Sequence, residues 1–268
     1  MKRTNKVLAI IISCLIFIPS IQAQQKDSSK TKISLSTDVV SRYVWRGSLL
    51  STAPSIQPSL QINVNNLTIG TWGAYSFNGK EGAEADIFAT YSFMKNLFSF
   101  TVTDYFFPNQ AIPNNNYFNY NNNKTGHIFE GSLSFNGTKN IPFSLMIATN
   151  FYGADAKKIN NDPTSAKFNQ KDGNQFSTYI EIGYPFKIND TKLNTFLGFT
   201  PNKPKNANTS IAYIGESGFY GNTVGVVNMG LTASKNISIS SKYSLPLQTS
   251  LIINPMAENI FFVCGISF

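Results

Sequence analysis

From Ile33 onward the chain alternates. Ile33, Leu35, Thr37, Val39, Ser41, Tyr43 and Trp45 fall on one parity; Ser34, Ser36, Asp38, Val40, Arg42, Val44 and Arg46 fall on the other. The pattern returns in Ile56, Pro58, Leu60, Ile62, Val64 and again in Leu67, Ile69, Thr71, Gly73, Tyr75, Phe77. A period of two with one apolar parity is the signature of a β-strand. Segments of this kind lie at 33–46, 55–64, 67–77, 83–93, 97–106, 127–135, 143–151, 176–186, 192–200, 223–233, 243–253 and 258–268. Most are about ten residues long, the length a tilted strand needs to cross a bilayer. Connections after the even segments are mostly brief, as at Asn65-Asn66 and Met94-Lys95-Asn96, with 234–242 the loosest. After the odd segments they are often long: 107–126, 152–175 and 201–222. Long and short connections in alternation are expected of a closed barrel in a membrane, whereas a soluble sandwich has no reason to gather its long loops at one end. The pattern therefore predicts an all-β fold, a transmembrane antiparallel up-and-down β-barrel of about 12 strands, with ten or fourteen as alternatives.

Aromatic residues sharpen this expectation. Tyr43, Trp45, Tyr75, Phe77, Phe106 and Phe151 fall where strands would meet one lipid interface. Tyr91, Phe93, Phe98, Phe135, Phe143, Tyr184 and Phe186 fall where they would meet the other. Two girdles of this kind are expected at the two bilayer surfaces. A sandwich core is also aromatic, so the girdles gain their weight from the loop pattern. Two residues resist the alternation. Pro58 lies inside a strand, where it cannot donate to the ladder, so a bulge or a later strand start is expected there. Asp104 falls on the apolar parity, where a bulge could turn it inward.

The first residues add an address. Lys2, Arg3 and Lys6 precede the apolar run from Val7 to Ile18, and Ile21-Gln22-Ala23 offers a small residue before a polar stretch. This reads as a cleaved secretory signal at 1–23, followed by a short periplasmic segment at 24–32 and the barrel at 33–268. The run falls short of the roughly 20 apolar residues a membrane helix needs. Cys14 lies inside the run, not at its end, which argues against a lipoprotein signal. Loss of three basic residues lowers the net charge from +8 to +5. No basic stripe suggests nucleic acid. Cys264 alone remains, so no intrachain disulfide is expected, and no Cys/His cluster suggests a metal or other cofactor.

The run Asp38-Val39-Val40-Ser41-Arg42-Tyr43-Val44-Trp45-Arg46-Gly47 resembles the opening strand of the Gcw-chp type of bacterial outer-membrane protein. Pro54-Ser55-Ile56-Gln57-Pro58, Gly70-Thr71-Trp72-Gly73 and Asp104-Tyr105-Phe106-Phe107-Pro108 are similar as well, so the resemblance covers about 38–108 together with the C-terminal strand. It implies a barrel and an outer-membrane address, and brings no catalytic residues. The Asn-rich loops resemble those of the Bacteroidetes. The final alternation Ile260, Phe262, Cys264, Ile266, Phe268 resembles the terminal strand by which outer-membrane proteins are recognised by the barrel-insertion machinery, with Phe268 as its signal.

Parity sends Asp38, Arg42, Arg46, Gln57, Gln61, Glu84, Asp86, Glu130 and Glu181 into the lumen. They either pair and rigidify a narrow barrel or line a pathway for a small polar solute. Arg42 or Arg46 is expected within ion-pair reach of Glu84, Asp86, Glu130 or Glu181. His127, the single histidine, would be the base of a Ser-His hydrolase, but no Gly-x-Ser-x-Gly elbow accompanies it; a structural rim role is the plainer reading, and no enzyme is expected. Glu84 and Asp86, roughly 7 Å apart by strand rise, make a weak carboxylate dyad. Lys157, Lys158, Lys167, Lys171, Lys203 and Lys205 in the long loops could meet lipopolysaccharide phosphates, draw anions toward a pore mouth, or simply face water. Tyr117, Phe118 and Tyr120 could form a sugar-stacking tip. The leading expectation is a channel or transporter for small polar solutes; the alternative is a non-conducting barrel that contacts lipopolysaccharide or a partner through its loops.

Overall fold

The computed structural model describes residues 31–108, 115–122, 124–241 and 243–268. The expected signal at 1–23, and all of segment 24–32 but its last two residues, lie outside them. The strands are β1 (Thr31–Val40), β2 (Tyr43–Trp45), β3 (Ser48–Ser51), β4 (Ser55–Val64), β5 (Leu67–Ser76), β6 (Glu84–Phe93), β7 (Phe98–Phe106), β8 (His127–Phe135), β9 (Ser144–Gly153), β10 (Lys157–Ile159), β11 (Lys171–Asn174), β12 (Thr178–Ile188), β13 (Thr191–Thr200), β14 (Gly225–Ser240), β15 (Tyr243–Asn254) and β16 (Asn259–Ser267).

Twelve of them close one antiparallel barrel in the order β1-β16-β15-β14-β13-β12-β9-β8-β7-β6-β5-β4. The remaining four form two hairpins, β2–β3 and β10–β11, inside long connections. The ends of the sequence close the ring: Asp38 pairs with Ser267 and Val40 with Gly265, and Thr37 and Phe268 exchange backbone hydrogen bonds of 3.2 and 2.9 Å. Closure gives every barrel strand a hydrogen-bonded neighbour on both sides, which a barrel in lipid requires.

The outward parity is apolar and exposed. Leu35 is 79% accessible, and Leu60, Ile69, Ile87, Leu133, Leu197, Leu251 and Phe262 continue the belt around the ring. At the short-turn end Tyr91, Phe93, Phe98, Phe135 and Phe143 form a chain of ring contacts 5.5–6.5 Å apart. Tyr184 and Phe186 add a pair at 6.0 Å. At the long-loop end Tyr75, Phe77 and Phe151 are exposed.

Four local expectations need correction. The first segment does not run to Arg46: β1 stops at Val40, and residues 43–51 turn back as the β2–β3 hairpin. Tyr43 and Trp45 therefore leave the girdle; Tyr43 is buried, and Trp45 packs on Tyr105, Phe219 and Tyr220. Phe106 is buried too, with its ring 5.3 Å from that of Tyr117. The loosest expected turn, 234–242, is mostly strand, because β14 extends to Ser240 and β15 begins at Tyr243. Finally, Pro58 causes neither a bulge nor a late start. It stays in register opposite Thr37, and the ladder to β5 skips from Ile56↔Tyr75 to Ser59↔Trp72 without a shift. The missing N–H is absorbed by a gap in one ladder.

Candidate functional site

The β2–β3 hairpin occupies the barrel interior near the long-loop end, and its side chains reach walls on all sides. The turn that makes this possible is Arg46-Gly47, with both residues in the left-handed region at φ 47° and 77°, between the paired Trp45 and Ser48. Two central residues of positive φ fit the tight hairpin turn whose twist matches its strands. Gly47 is further constrained by proximity: a Cβ there would lie 2.0 Å from the Val227 carbonyl oxygen. Its own carbonyl accepts from Asn254 Nδ2 at 3.1 Å. The tip thus rests on β14 and the end of β15. A bulge prepares the seat, since Gly198 pairs with Asn228 and Phe199 with Val226, so Val227 is the extra residue and is buried beside Asn228.

On the other sides, the Tyr43 hydroxyl donates to Glu84 Oε2 of β6 at 2.7 Å, and its ring lies 5.6 Å from Trp72. The Trp45 ring meets Tyr105 of β7 edge-on at 5.5 Å. Arg46 reaches furthest. Its Nη1 donates to Glu130 Oε2 and its Nη2 to Oε1 at 2.9 Å, a two-pronged ion pair with β8. Nη1 also donates to the Tyr220 hydroxyl at 2.6 Å. The guanidinium carbon lies 4.6 Å from the Trp45 ring centre, 4.7 Å from that of Tyr179 and 5.9 Å from that of Tyr220. Tyr105 donates to Glu130 Oε1 at 3.1 Å. Glu130 is 2% exposed; in so dry a place a fork of charged hydrogen bonds with aromatic faces is the arrangement in which a carboxylate is tolerated.

A second layer fixes the cage. Tyr179 donates to Glu181 Oε2, and Asn228 Nδ2 donates to the Tyr179 hydroxyl at 2.8 Å and to Glu181 at 3.2 Å. Tyr179 lies flat against Gly198, where a Cβ would come 2.1 Å from its hydroxyl oxygen. Outside the barrel the returning hairpin is tied by Thr52, which donates to Glu81 Oε1 at 2.7 Å. The Thr52 and Asn78 hydrogen bonds hold the Glu81 carboxyl below its ordinary range. That tie is complete above the ordinary carboxylate range and is lost as pH falls through the lowered value.

The expected inward residues thus divide. Arg46, Glu84, Glu130 and Glu181 converge on the hairpin and its cage. Asp86 is buried beside this group, with Oδ1 lacking a hydrogen-bond partner. Asp38 and Gln57 face each other across β1 and β4, and Gln61 donates to Ser59 at 3.3 Å. Arg42 is half-buried at the bend before β2, forms no ion pair among the described residues, and has a buried Nε without a partner. Tyr105 and Tyr179 were legible as inward by parity, Tyr179 being two residues before Glu181. Tyr220 comes from an irregular loop and leaves no periodic signal.

Asp104 is not turned inward. It keeps its outward parity opposite Phe129 and pairs with His127, whose Nδ1 lies 2.7 Å from Oδ1. His127 Nε2 meets the Tyr117 carbonyl at 2.5 Å, and the rings of Phe106 and Tyr120 lie 4.6 and 4.5 Å from its own. The loop holding Tyr117 and Tyr120 therefore folds down over the outer wall and covers the pair, which leaves His127 wholly buried. Oxygens meet both ring nitrogens, so His127 serves here as a clamp between the barrel wall and the segment that carries Tyr117. Of the expected aromatic tip, Tyr117 is spent on this cover and Phe118 remains exposed. Asp104→Ala should speed tryptic cleavage at Lys124 by roughly 10-fold, the scale of one charged hydrogen bond; mass spectrometry of the timed digest would show it, and an unchanged rate would mean the clamp does not hold the loop.

No protein-family model matches the chain, and no curated protein does. Among solved structures it is similar to a chain from work on the mechanism behind the in-meso crystallization of membrane proteins, with 5% identity, 87% of this chain and 82% of that chain covered, and a TM-score of 0.42. It is also similar to Wzi of Escherichia coli, an outer membrane protein involved in group 1 capsule assembly and a carbohydrate-binding β-barrel, with 12% identity, 82% of this chain and 52% of that chain covered, and a TM-score of 0.31.

Proposed function

We propose that this chain is an outer-membrane β-barrel whose lumen is shut at rest by its own β2–β3 hairpin, and that passage of a small polar solute requires the hairpin to withdraw. The membrane part of this reading is supported by the closed ring of twelve strands and the exposed apolar belt between aromatic residues. So large a continuous apolar surface is not tolerated in water. The shut lumen is carried by one observation: Arg46, on a hairpin rooted between β1 and β4, binds Glu130 on β8, across the ring. A side chain can make that contact only by crossing the interior.

The long loops support an accompanying surface role. Loop 154–175 and loop 201–224 are stitched together by Glu216, which accepts from the backbone N–H of Ile159 at 3.1 Å and of Lys205 at 2.9 Å, and by Asn169, which donates to the Ala212 carbonyl at 2.9 Å. Between them lies a cavity of about 360 Å³ lined by Lys203, Lys205, Asn161, Asn208 and Tyr213. Its cationic and amide lining suits a phosphorylated or acidic saccharide such as lipopolysaccharide presents.

Planar bilayers test the main reading. The folded wild-type barrel should be silent across a wide voltage range. A variant in which 42–52 is replaced by a short Gly/Ser link should show discrete conductance steps. Steady conductance of the wild type, or a silent excision variant that still shows a heat-dependent gel shift, would overturn it.

A further inference from the structure

The hairpin is held by a guanidinium, and most of what holds it does not belong to the hairpin. Glu130, Tyr105 and Tyr179 stand on the fixed walls β8, β7 and β12, and Tyr220 stands on the 201–224 loop. Of the groups around the Arg46 cation, only Trp45 travels with it. Withdrawal of the hairpin would therefore leave a single carboxylate flanked by aromatic faces and a hydroxyl acceptor.

We infer that this cage is a binding site for guanidinium-bearing solutes, occupied at rest by Arg46 as an internal competitor, and that such a solute displaces the hairpin and so selects what passes. This rests on the shut-barrel reading above and names its solute class. The geometry favours a guanidinium over a primary ammonium. The two Glu130 oxygens are each met by a separate nitrogen, which a planar fork can do and a point charge cannot. The Tyr179 and Tyr220 ring centres at 4.7 and 5.9 Å, which stay behind when the hairpin leaves, suit a flat, weakly hydrated cation. The backbone agrees with a displaceable competitor: Arg46 itself sits at φ 47°, a region unfavourable for a residue with a side chain, so the contact holds a turn that is strained on its own.

The test uses methylguanidinium as the probe on Arg46→Ala, in which the cage is vacated while the hairpin remains. Methylguanidinium at millimolar concentration should raise the unfolding midpoint of the variant and shift its tryptophan emission. Methylammonium at equal ionic strength should act at least tenfold more weakly. Neither should affect Arg46→Ala/Glu130→Gln. Should Arg46→Ala not fold, Arg46→Gln refolded with and without methylguanidinium replaces it, with a higher folded yield expected only with the probe. Absence of a shift or of a rescued yield, an equal response to methylammonium, or a response that survives Glu130→Gln would each overturn the inference. None of these readings depends on conductance, so the cage can fail while the shut barrel stands, and the reverse. If both stand, a short arginine-containing peptide added on the long-loop side should open the wild-type barrel, and its lysine counterpart should not; equal opening by both would reject the selectivity.

Discussion

Arg46→Ala is expected to destabilise the folded barrel by about 3–5 kcal/mol, the range for stripping one partner from a buried ion pair. The reason lies with the carboxylate left behind more than with the lost attraction. Glu130 is 2% exposed, and two of its contacts are the two prongs of this one side chain. Tyr105 still donates to it at 3.1 Å, but a single neutral donor does not balance a desolvated charge. Removing the charge as well should recover much of the loss, so Arg46→Ala/Glu130→Gln is expected to be more stable than Arg46→Ala alone. The coupling between the two sites should be about 1–3 kcal/mol. Urea midpoints of the refolded barrel, or the temperature at which its compact gel band disappears, give the four corners of the cycle. Additive single substitutions would mean that the pair contributes nothing beyond its parts.

Gly47→Ala should have the largest effect on the hairpin itself. The left-handed backbone costs a residue with a Cβ roughly 1–2 kcal/mol. The larger obstacle is that the new methyl would sit 2.0 Å from the Val227 oxygen, a backbone atom in the β14 bulge that cannot swing aside. The tip must lift from its seat, and lifting it draws Arg46 out of the cage. The expected result is conductance where the wild type is silent, with Trp45 more accessible to a quencher and the gel shift retained. Gly79→Ala is the matched control. Gly79 has a similar φ of 65°, but a Cβ there meets nothing within 4 Å, so it carries a backbone cost of the same kind with no collision and should leave the barrel silent. A silent Gly47→Ala with unchanged quenching would show that the tip contact does not hold the hairpin in place.

Much of the architecture was legible along the chain because the forces behind it are periodic. One wall of residues faces apolar surroundings and the other faces a polar interior, so alternation reports both the strands and their orientation. That is why Leu35, Leu60 and Ile69 face outward as expected, and why Glu84, Glu130 and Glu181 face inward. The ion pair of Arg46 was also within reach, though by a different route from the one the alternation suggested. Extended as a strand, residues 43–46 would have placed Tyr43 and Trp45 in lipid. The signal that separates the two outcomes is Arg46-Gly47 between the short apolar runs Tyr43-Val44-Trp45 and Leu49-Leu50, a glycine-containing turn pair that reads as a hairpin. In a chain of long strands, that short element is easily absorbed into its neighbour.

The sequence by itself pointed to about twelve barrel strands, with ten or fourteen left open, to their antiparallel direction and to the carboxylates that share the interior, since each of these follows from local periodicity and connection length. It could not determine that the interior is filled. That depends on where an irregular segment folds once the ring has closed, and the ring brings together Arg46, Glu130, Tyr179 and Tyr220, residues up to 174 positions apart, with no periodic relation. The same holds for Asp104. Alternation alone marks it as a misplaced charge, and only the folded loop supplies the histidine clamp and the aromatic cover that let a carboxylate remain on the outer wall. Periodicity reports the solvent a residue faces; it carries no information about which distant side chain will meet it there.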